Sequence, residues 1–213
     1  MSHSSLALTR FRHLATRELS ILAEELQDLR EYGSLLSTGN GQYQGHILGF
    51  VKGLRISAKV IYFIRKCLST EQLEVSWGHI IDTETGVCSP ECDVIIHSPG
   101  HFEKWNGNEK PVMEFVFVEA RYVKAVVSCK SDLKSVDGDY PTCMKSIGVD
   151  NVILFAESCS QTNYENLKEQ AINAGYSGLW CSYFTLGSGS ELIKDEEHHY
   201  EFYDSIRKSF VAF

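Results

Sequence analysis

Two charged residues stand in apolar runs that have the composition of buried strands. Asp93 lies within the run 92–96, and Lys130 follows the run 125–129. A carboxylate and an ammonium group are costly to bury unless they are paired, hydrogen-bonded or bound to a metal ion. A carboxylate on one strand and a lysine on another are the minimal equipment for metal-dependent hydrolysis of a phosphodiester. Asp93 and Lys130 are therefore the first candidates for catalytic residues.

Strand alternation predicts which residues share a face with these two. Successive side chains of a strand point to opposite faces of the sheet, so Ser128 and Lys130 share one face of their strand. We expect Asp93 to face both of them from an adjacent strand. A structural ion pair between Asp93 and Lys130 is an alternative that the pattern leaves open.

The elements that must position these residues follow from hydrophobic periodicity. Helical periodicity runs from about residue 6 to 31, and again from His46 or Val51 to Leu68. The predicted strands are 73–81, 91–97, 112–118, 122–129, 152–155 and 178–184, and the later helices are 142–147, 163–174 and one around residues 203–210. Residues 99–110 and 187–190 are predicted loops, and Gly86 and Gly175 suit a turn and a helix end. This order indicates a mixed sheet flanked by helices.

Length and composition set the class of protein. At 213 residues, with 43% hydrophobic and 23% charged residues, the chain has the composition of an ordinary globular protein with one substantial core. It contains no apolar run of 18 residues, so no membrane segment is expected. The first residues lack the pattern of a secretory signal, and the seven cysteines are scattered. We therefore expect a cytoplasmic protein with reduced thiols. The expected organisation is an N-terminal helical extension and loop at 1–45, followed by one α/β domain at 46–213.

Charge is distributed unevenly along the chain. The formal net charge is −8, yet residues 32–70 contain no acidic residue. Lys52, Arg55 and Lys59 lie on one face of the helix predicted in this segment. This face predicts contact with nucleic-acid phosphates through these three residues, and a face that is merely solvated is the alternative.

Spaced motifs connect these observations to a known superfamily. The chain contains Gly78-x-Ile80-x-Asp82, Ser89-Pro90-x-x-Asp93-Val94-Ile95 and Ala125-Val126-Val127-x-x-Lys130-Ser131. Over about residues 53–133 it resembles the restriction-endonuclease-like, or PD-(D/E)XK, nucleases. The resemblance is strongest to an uncharacterised bacterial branch that reads G-x-I-x-D, S-P-Q-x-D-I-V-I and A-V-I-E-V-K-S. It implies a restriction-endonuclease-like mixed β-sheet flanked by helices, here with an N-terminal helical extension.

The resemblance also implies an activity and a set of site residues. It implies hydrolysis of DNA phosphodiesters with Mg²⁺ or Mn²⁺, with Asp93 and the Cys129 carbonyl as metal ligands. Lys130 would orient the attacking water and stabilise developing charge.

Two positions depart from the family pattern. Ser128 replaces the glutamate of the E-x-K pair, and Ser57 stands where the preceding helix often supplies a glutamate. Glu91, two residues before Asp93, is the candidate for a migrated metal ligand, and Glu119 is a second one. The expected metal binding is therefore weak.

Three functions remain open at this point. The first is a metal-dependent deoxyribonuclease, in bacterial defence or a mobile element. The second is a catalytically lapsed pseudo-nuclease that binds nucleic acid or protein. The third is a purely structural subunit of a defence or mobile-element system. DNA, a partner protein or a second copy of the chain are the partners these functions call for, and the alternatives differ in whether Asp93 and Lys130 act or are a relict ion pair.

Overall fold

The computed structural model describes most of the chain. The described residues are 13, 16–28, 30, 44–68, 72–100, 102–104, 115–186, 189–193 and 196–208. Most of the predicted extension 1–45, part of the predicted strand 112–118 and the end of the last predicted helix lie outside these ranges. The side chain of Lys52 lies outside them as well.

Within the described residues, eight strands form one mixed sheet at the centre of the fold. They are β1 (Glu74–Ile81), β2 (Cys92–His97), β3 (Phe102–Lys104), β4 (Phe115–Glu119), β5 (Val123–Leu133), β6 (Val152–Ser160), β7 (Gly178–Leu186) and β8 (Gly189–Leu192). Their order across the sheet is β3-β4-β1-β2-β5-β6-β7-β8. The neighbours β1–β4, β5–β6 and β6–β7 are parallel, and β1–β2, β2–β5, β3–β4 and β7–β8 are antiparallel.

Helices cover both faces of this sheet. They are α1 (residues 16–28), α2 (Gln44–Cys67), α3 (Asp139–Ser146), α4 (Tyr164–Ala174) and α5 (Glu196–Lys208). Buried residues of α1, α2 and α5 form one core with the sheet, and buried residues of α3 and α4 form a second core on the other face. We call these the α2 side and the α3 side. The prediction of a mixed sheet flanked by helices is confirmed.

Apolar periodicity explains how the two long helices pack. Ile56, Val60 and Ile64 are fully buried on α2, because spacings of four residues return to the same face of a helix. Leu19 and Leu26 of α1 are fully buried in the same core. Helix α1 is therefore part of the α2-side layer. The domain boundary near residue 45 stays a prediction.

The structure adds short strands that the sequence pattern did not indicate. β3 lies inside the predicted loop 99–110, and β8 overlaps the predicted Gly-Ser loop. Strands of three or four residues at a sheet edge carry too few apolar positions for alternation to be visible. Gly86 and Gly175 adopt the expected positive φ, 73° and 101°. Among the described residues, none of the helices has the length and apolar character that crossing a membrane requires.

Candidate functional site

An extra residue in β2 determines where Asp93 points. Ser76 of β1 pairs with Ile95, and Gly78 pairs with Cys92. Trp77 therefore lies opposite two residues, Asp93 and Val94, which is the arrangement of a β-bulge. Ile95 and Cys92 pack in the α3-side core, and Val94 packs in the α2-side core. The bulge turns Asp93 to the α2 side as well, where it meets helix α2.

Gly78 allows β1 to pack closely against β4. Its φ is +152°, and a Cβ atom at this position would lie 2.0 Å from the Val116 carbonyl oxygen of β4. Only glycine fits such an approach. The glycine of the G-x-I-x-D motif is thus explained by the packing of β1 against β4.

The carboxylate of Asp93 is held by two hydrogen bonds. Its Oδ2 accepts from the backbone N–H of Cys129 at 2.8 Å, and its Oδ1 accepts from the Ser57 hydroxyl of α2 at 3.2 Å. A residue in an extended strand directs its N–H and its C=O toward the same neighbouring strand. The Cys129 carbonyl therefore also points toward β2, the position that the family resemblance implies for a metal-ligand oxygen.

Cys129 and Ser128 lie on opposite sides of the sheet, and Asp93 contacts Cys129 on the α2 side. Cys129 packs against the α2-side core, and its thiol interacts with Asp93 and Ser57. Ser128 pairs with Leu154, a residue of the α3-side core, and is 2% exposed. The expectation that Asp93 shares a face with Ser128 and Lys130 is wrong for both residues, because strict alternation does not hold across a bulge.

Lys130 follows the part of β5 that pairs with β2, and it lies on the side of the sheet opposite to Asp93. Its partner in β6 is Ala156, so alternation places Lys130 on the α3 side with Ser128. The residue is exposed, and its charge acts on both Asp93 and the Cys129 thiol. The structure thus brings Asp93, Cys129 and Ser57 together at the start of β2, and Lys130 acts on them only through its charge.

Burial dominates the electrostatics of Asp93. Desolvation raises its pKa above the ordinary range, and the charge of Glu91 raises it further. The Cys129 N–H, the Lys130 charge and the Ser57 hydroxyl act in the opposite direction. Glu91 itself is exposed, and its Oε1 accepts from the Trp77 indole N–H at 2.8 Å.

The donor set fits a hard divalent ion only weakly. Mg²⁺ and Mn²⁺ prefer carboxylate, carbonyl and water oxygens. Asp93, Glu91 and the Cys129 carbonyl supply such oxygens, but both oxygens of Asp93 already accept a hydrogen bond. Within the described ranges, no group of three or more His, Cys, Asp and Glu residues is arranged to hold a metal. Metal binding by Asp93, Glu91 and the Cys129 carbonyl therefore stays a prediction.

The basic face of α2 is largely engaged within the protein. The Lys59 ammonium lies 2.7 Å from Glu25 of α1. Arg55 lies 3.7 Å from Glu157, a residue of β6 that is 1% exposed. Phosphate contacts by Lys52, Arg55 and Lys59 stay a prediction, and the structure offers intramolecular partners for the last two.

Other polar residues near the site escaped the sequence analysis. Glu157 and Ser158 are buried in β6, where Ser158 accepts from Arg30 and donates to the Ser131 carbonyl. Tyr140 of α3 lies against Cys92. Glu157 could have been found from the sequence, because it is a charged residue that directly follows the apolar run 152–156. Tyr140 had no signal, because its position depends on the docking of α3.

Comparisons with known proteins identify the fold. No protein-family model matches the chain, and no curated protein matches it. Several solved structures do, and two of them are NucC proteins. NucC of P. aeruginosa ATCC27853, in its cAAA-bound form, matches with a TM-score of 0.58 and 12% identity, covering 92% of this chain and 91% of that one. NucC of E. coli MS115-1, also in its cAAA-bound form, matches with a TM-score of 0.50 and 10% identity, covering 99% and 92%. The chain therefore has the restriction-endonuclease-like fold, as the motifs predicted.

Proposed function

We propose that the protein is a divalent-metal-dependent nuclease of bacterial defence that hydrolyses DNA phosphodiesters. The observation that carries this proposal is the placement of Asp93. The β2 bulge directs a half-buried carboxylate to the Cys129 N–H, within range of the Lys130 charge. A carboxylate placed for stability alone is costly at such a desolvated position, which favours a functional role for Asp93. The likeness to NucC over nearly the whole chain supports a nuclease role.

In this proposal each residue has a defined role. Asp93, Glu91 and the Cys129 carbonyl would hold the metal ion, which would supply a lowered pKa for the attacking water. Lys130 orients that water and stabilises the negative charge that develops on the phosphate. Ser57 fixes the orientation of the Asp93 carboxylate through its hydrogen bond to Oδ1. The raised pKa of Asp93 also implies that ion binding competes with a proton at this carboxyl.

A second candidate function rests on the uncharged residues around Asp93. Ser57, Ser128 and Cys129 supply no charge to the site, so a lapsed pseudo-nuclease that binds nucleic acid or protein is the alternative. In that case the two hydrogen bonds to Asp93 serve the fold, and Lys130 supplies only a compensating charge.

Plasmid cleavage separates the two candidates. Purified protein is incubated with plasmid DNA and Mg²⁺ or Mn²⁺, with and without cAAA, because both NucC structures contain cAAA. We expect cleavage that Asp93→Ala and Lys130→Ala both abolish. Asp150→Ala and Lys134→Ala, which change exposed residues away from Asp93, are the matched controls.

The outcome that contradicts the nuclease is equally specific. Absence of cleavage under every condition, with a folded protein by circular dichroism, favours the pseudo-nuclease. Binding to duplex DNA is then measured against salt, where each phosphate contact contributes a slope of about −0.9 in log K against log salt. Cleavage that survives both site variants indicates a contaminant.

A further inference from the structure

Four half-buried aromatic residues form a row on the α2 side of β1 and β4. They are Trp77, His79, Phe115 and Phe117, and we call them the aromatic row. Val116 and Val118 of β4 pack in the α3-side core, so alternation turns the two phenylalanines to the α2 side. Trp77 packs against the α2-side core, and alternation places His79 on the same side.

The rings of the aromatic row contact one another across the two strands. The ring centroids of Trp77 and Phe115 lie 4.9 Å apart, with the rings nearly perpendicular. Those of His79 and Phe117 lie 5.7 Å apart, with the rings nearly parallel. Within the described residues, the α2-side core contains no residue of β4. The aromatic row therefore continues the α2 side of the sheet beyond this core, and each of its residues stays partly exposed.

The segment that precedes Asp93 holds two of these rings in place. The Trp77 indole N–H donates to the Glu91 Oε1 at 2.8 Å. The His79 Nδ1 lies 3.0 Å from the Ser89 carbonyl oxygen, so this nitrogen carries the proton and donates it. Trp77 also lies opposite Asp93 where β1 pairs with the bulge of β2. The aromatic row thus begins beside Asp93, on an adjacent strand and on the same side of the sheet.

This position fits a nucleobase. Neighbouring strands lie about 4.8 Å apart, so a base that is one sugar away from a phosphate at Asp93 reaches β1. Aromatic side chains bind bases by stacking, and all four bases have faces suited to it. A base inside a duplex has both faces covered by its neighbours in the strand. Only an unpaired base is therefore free to contact the aromatic row.

We propose that the aromatic row binds an unpaired base of the DNA strand whose phosphate lies at Asp93. The proposal rests on the nuclease function proposed above, and it names the substrate as DNA that is single-stranded or locally unpaired at the cut. The two phenylalanines supply ring area for stacking. The hydrogen bonds from the segment before Asp93 keep the other two rings in position.

DNA binding without metal tests the aromatic row independently of cleavage. A fluorescein-labelled single-stranded oligonucleotide is titrated with the wild-type protein in EDTA. Its affinity is compared with that of the duplex and with that of an abasic oligonucleotide of the same length, which keeps the phosphates and lacks the bases. We expect the duplex and the abasic oligonucleotide each to bind about tenfold more weakly, because both lose the stacking contact.

Two variants locate the contact on the protein. Phe115→Leu removes one ring of the row and keeps an apolar side chain. Tyr62→Leu is the matched control, because Tyr62 of α2 is 64% exposed and belongs to neither core. We expect Phe115→Leu to weaken single-strand binding at least fivefold without changing the affinity for the abasic oligonucleotide, and Tyr62→Leu to stay within twofold of the wild type. Thermal unfolding verifies that both variants are folded.

The outcomes separate the aromatic row from the nuclease function. Equal affinities of the wild type for the ordinary and the abasic oligonucleotide overturn the proposal, and so does a failure to bind DNA, even if the protein cleaves plasmid. The same titration is repeated with cAAA, which both NucC structures contain. If cAAA binding requires Phe115 and single-strand binding does not, the row binds the cyclic nucleotide and the proposal is wrong. If the wild type prefers unpaired bases but cuts no DNA, the row is supported and only the nuclease function fails.

Discussion

At Asp93, the cost of burial competes with the supply of hydrogen-bond donors. Desolvation is the largest influence and raises its pKa, and the donors from Cys129 and Ser57 only partly offset it. The folded protein therefore binds a proton at Asp93 more readily than the unfolded chain does. The cost of burying Asp93 is therefore present in the protein both with and without a bound metal ion.

This raised pKa predicts a pH dependence of stability with a definite sign. An unfolded aspartate titrates near pH 3.9. Between that pH and the higher folded pKa of Asp93, the folded state binds more protons, so stability falls as the pH rises. Relative to Asp93→Asn, the wild type should lose free energy of unfolding as the pH rises through this window, and then show no further change. Urea unfolding across a pH series measures it.

Asp82 supplies the matched control for this measurement. Its side chain is exposed, and hydrogen bonds from the Thr85 hydroxyl and the Glu84 N–H lower its pKa. Its contribution to stability is present above the unfolded pKa and is lost as the pH falls. Asp82→Asn should thus change the pH profile in the opposite direction. If both substitutions changed the pH dependence of stability in the same direction, the desolvated environment described for Asp93 would be wrong.

The contact between Ser57 and Asp93 predicts how metal affinity can be raised. Ser57→Asp places a second carboxylate beside Asp93, where the hydroxyl now lies 3.2 Å from Oδ1. We expect at least tenfold tighter Mn²⁺ binding by calorimetry, because a second charged oxygen ligand is added. Ser128→Glu enters from the α3 side and should give the smaller gain.

Ser57→Ala is the control for the first substitution, since it removes the hydrogen bond without adding charge. It should not tighten binding of the ion. If neither Ser57→Asp nor Ser128→Glu binds Mn²⁺ more tightly than the parent, the metal position inferred from Asp93 is wrong.

At the scale of elements, His198 joins three of them and carries a pH prediction of its own. Its ring contacts the Tyr164 hydroxyl of α4 at 3.1 Å and the Cys181 carbonyl of β7 at 3.0 Å. Burial lowers its pKa to about 4. The folded protein keeps the ring neutral while the unfolded chain protonates it near pH 6.5, so stability is lost as the pH falls between these values.

The size of this effect follows from the shift. A change in the pKa of His198 from about 6.5 to about 4 corresponds to about 3 kcal/mol of unfolding free energy, which is lost as the pH falls across that range. His198→Gln should lack this loss, which urea unfolding at pH 6.5 and pH 4.5 detects. Equal losses in the wild type and in the variant would mean that other groups control acid unfolding.

The elements were largely predictable from the sequence, and the side on which each site residue lies was not. Long periodic segments such as α2 and α4 and apolar runs such as β5 carry many positions that agree with one another. The bulge at Asp93 and Val94 depends on one unpaired residue, which no local pattern marks. The pairing of Arg55 with Glu157 and the position of Tyr140 depend on how helices dock against the sheet.

At the scale of the whole molecule, α1 and α2 neutralise each other's charge. Lys59 lies beside Glu25, and Lys66 lies beside Glu18. The basic segment of the sequence thus faces the acidic helix that precedes it. Two such pairs are partly exposed and contribute little to stability by themselves. The buried leucines between the helices contribute more.

Helix α1 should therefore unfold together with the sheet. Leu26 is fully buried in the α2-side core, so Leu26→Ala should lower the free energy of unfolding by about 2–5 kcal/mol. Ile21→Ala, at a residue that is 38% exposed, should change it by less than about 0.5 kcal/mol. Fluorescence and circular dichroism should report one common transition. A separate transition for the helix would instead support an independent N-terminal extension.

The extra residue of β2 couples the site to the pairing of the sheet. A gene that lost codon 94 would still encode Ile95 opposite Ser76 and Cys92 opposite Gly78 on the β1 edge. On the β5 edge Val94 pairs with Val127, so the same deletion would shift this pairing and draw Asp93 away from the Cys129 N–H. A single-codon deletion at this point should therefore damage the sheet and the site together, whereas an exchange of Val94 for another aliphatic residue should leave both in place.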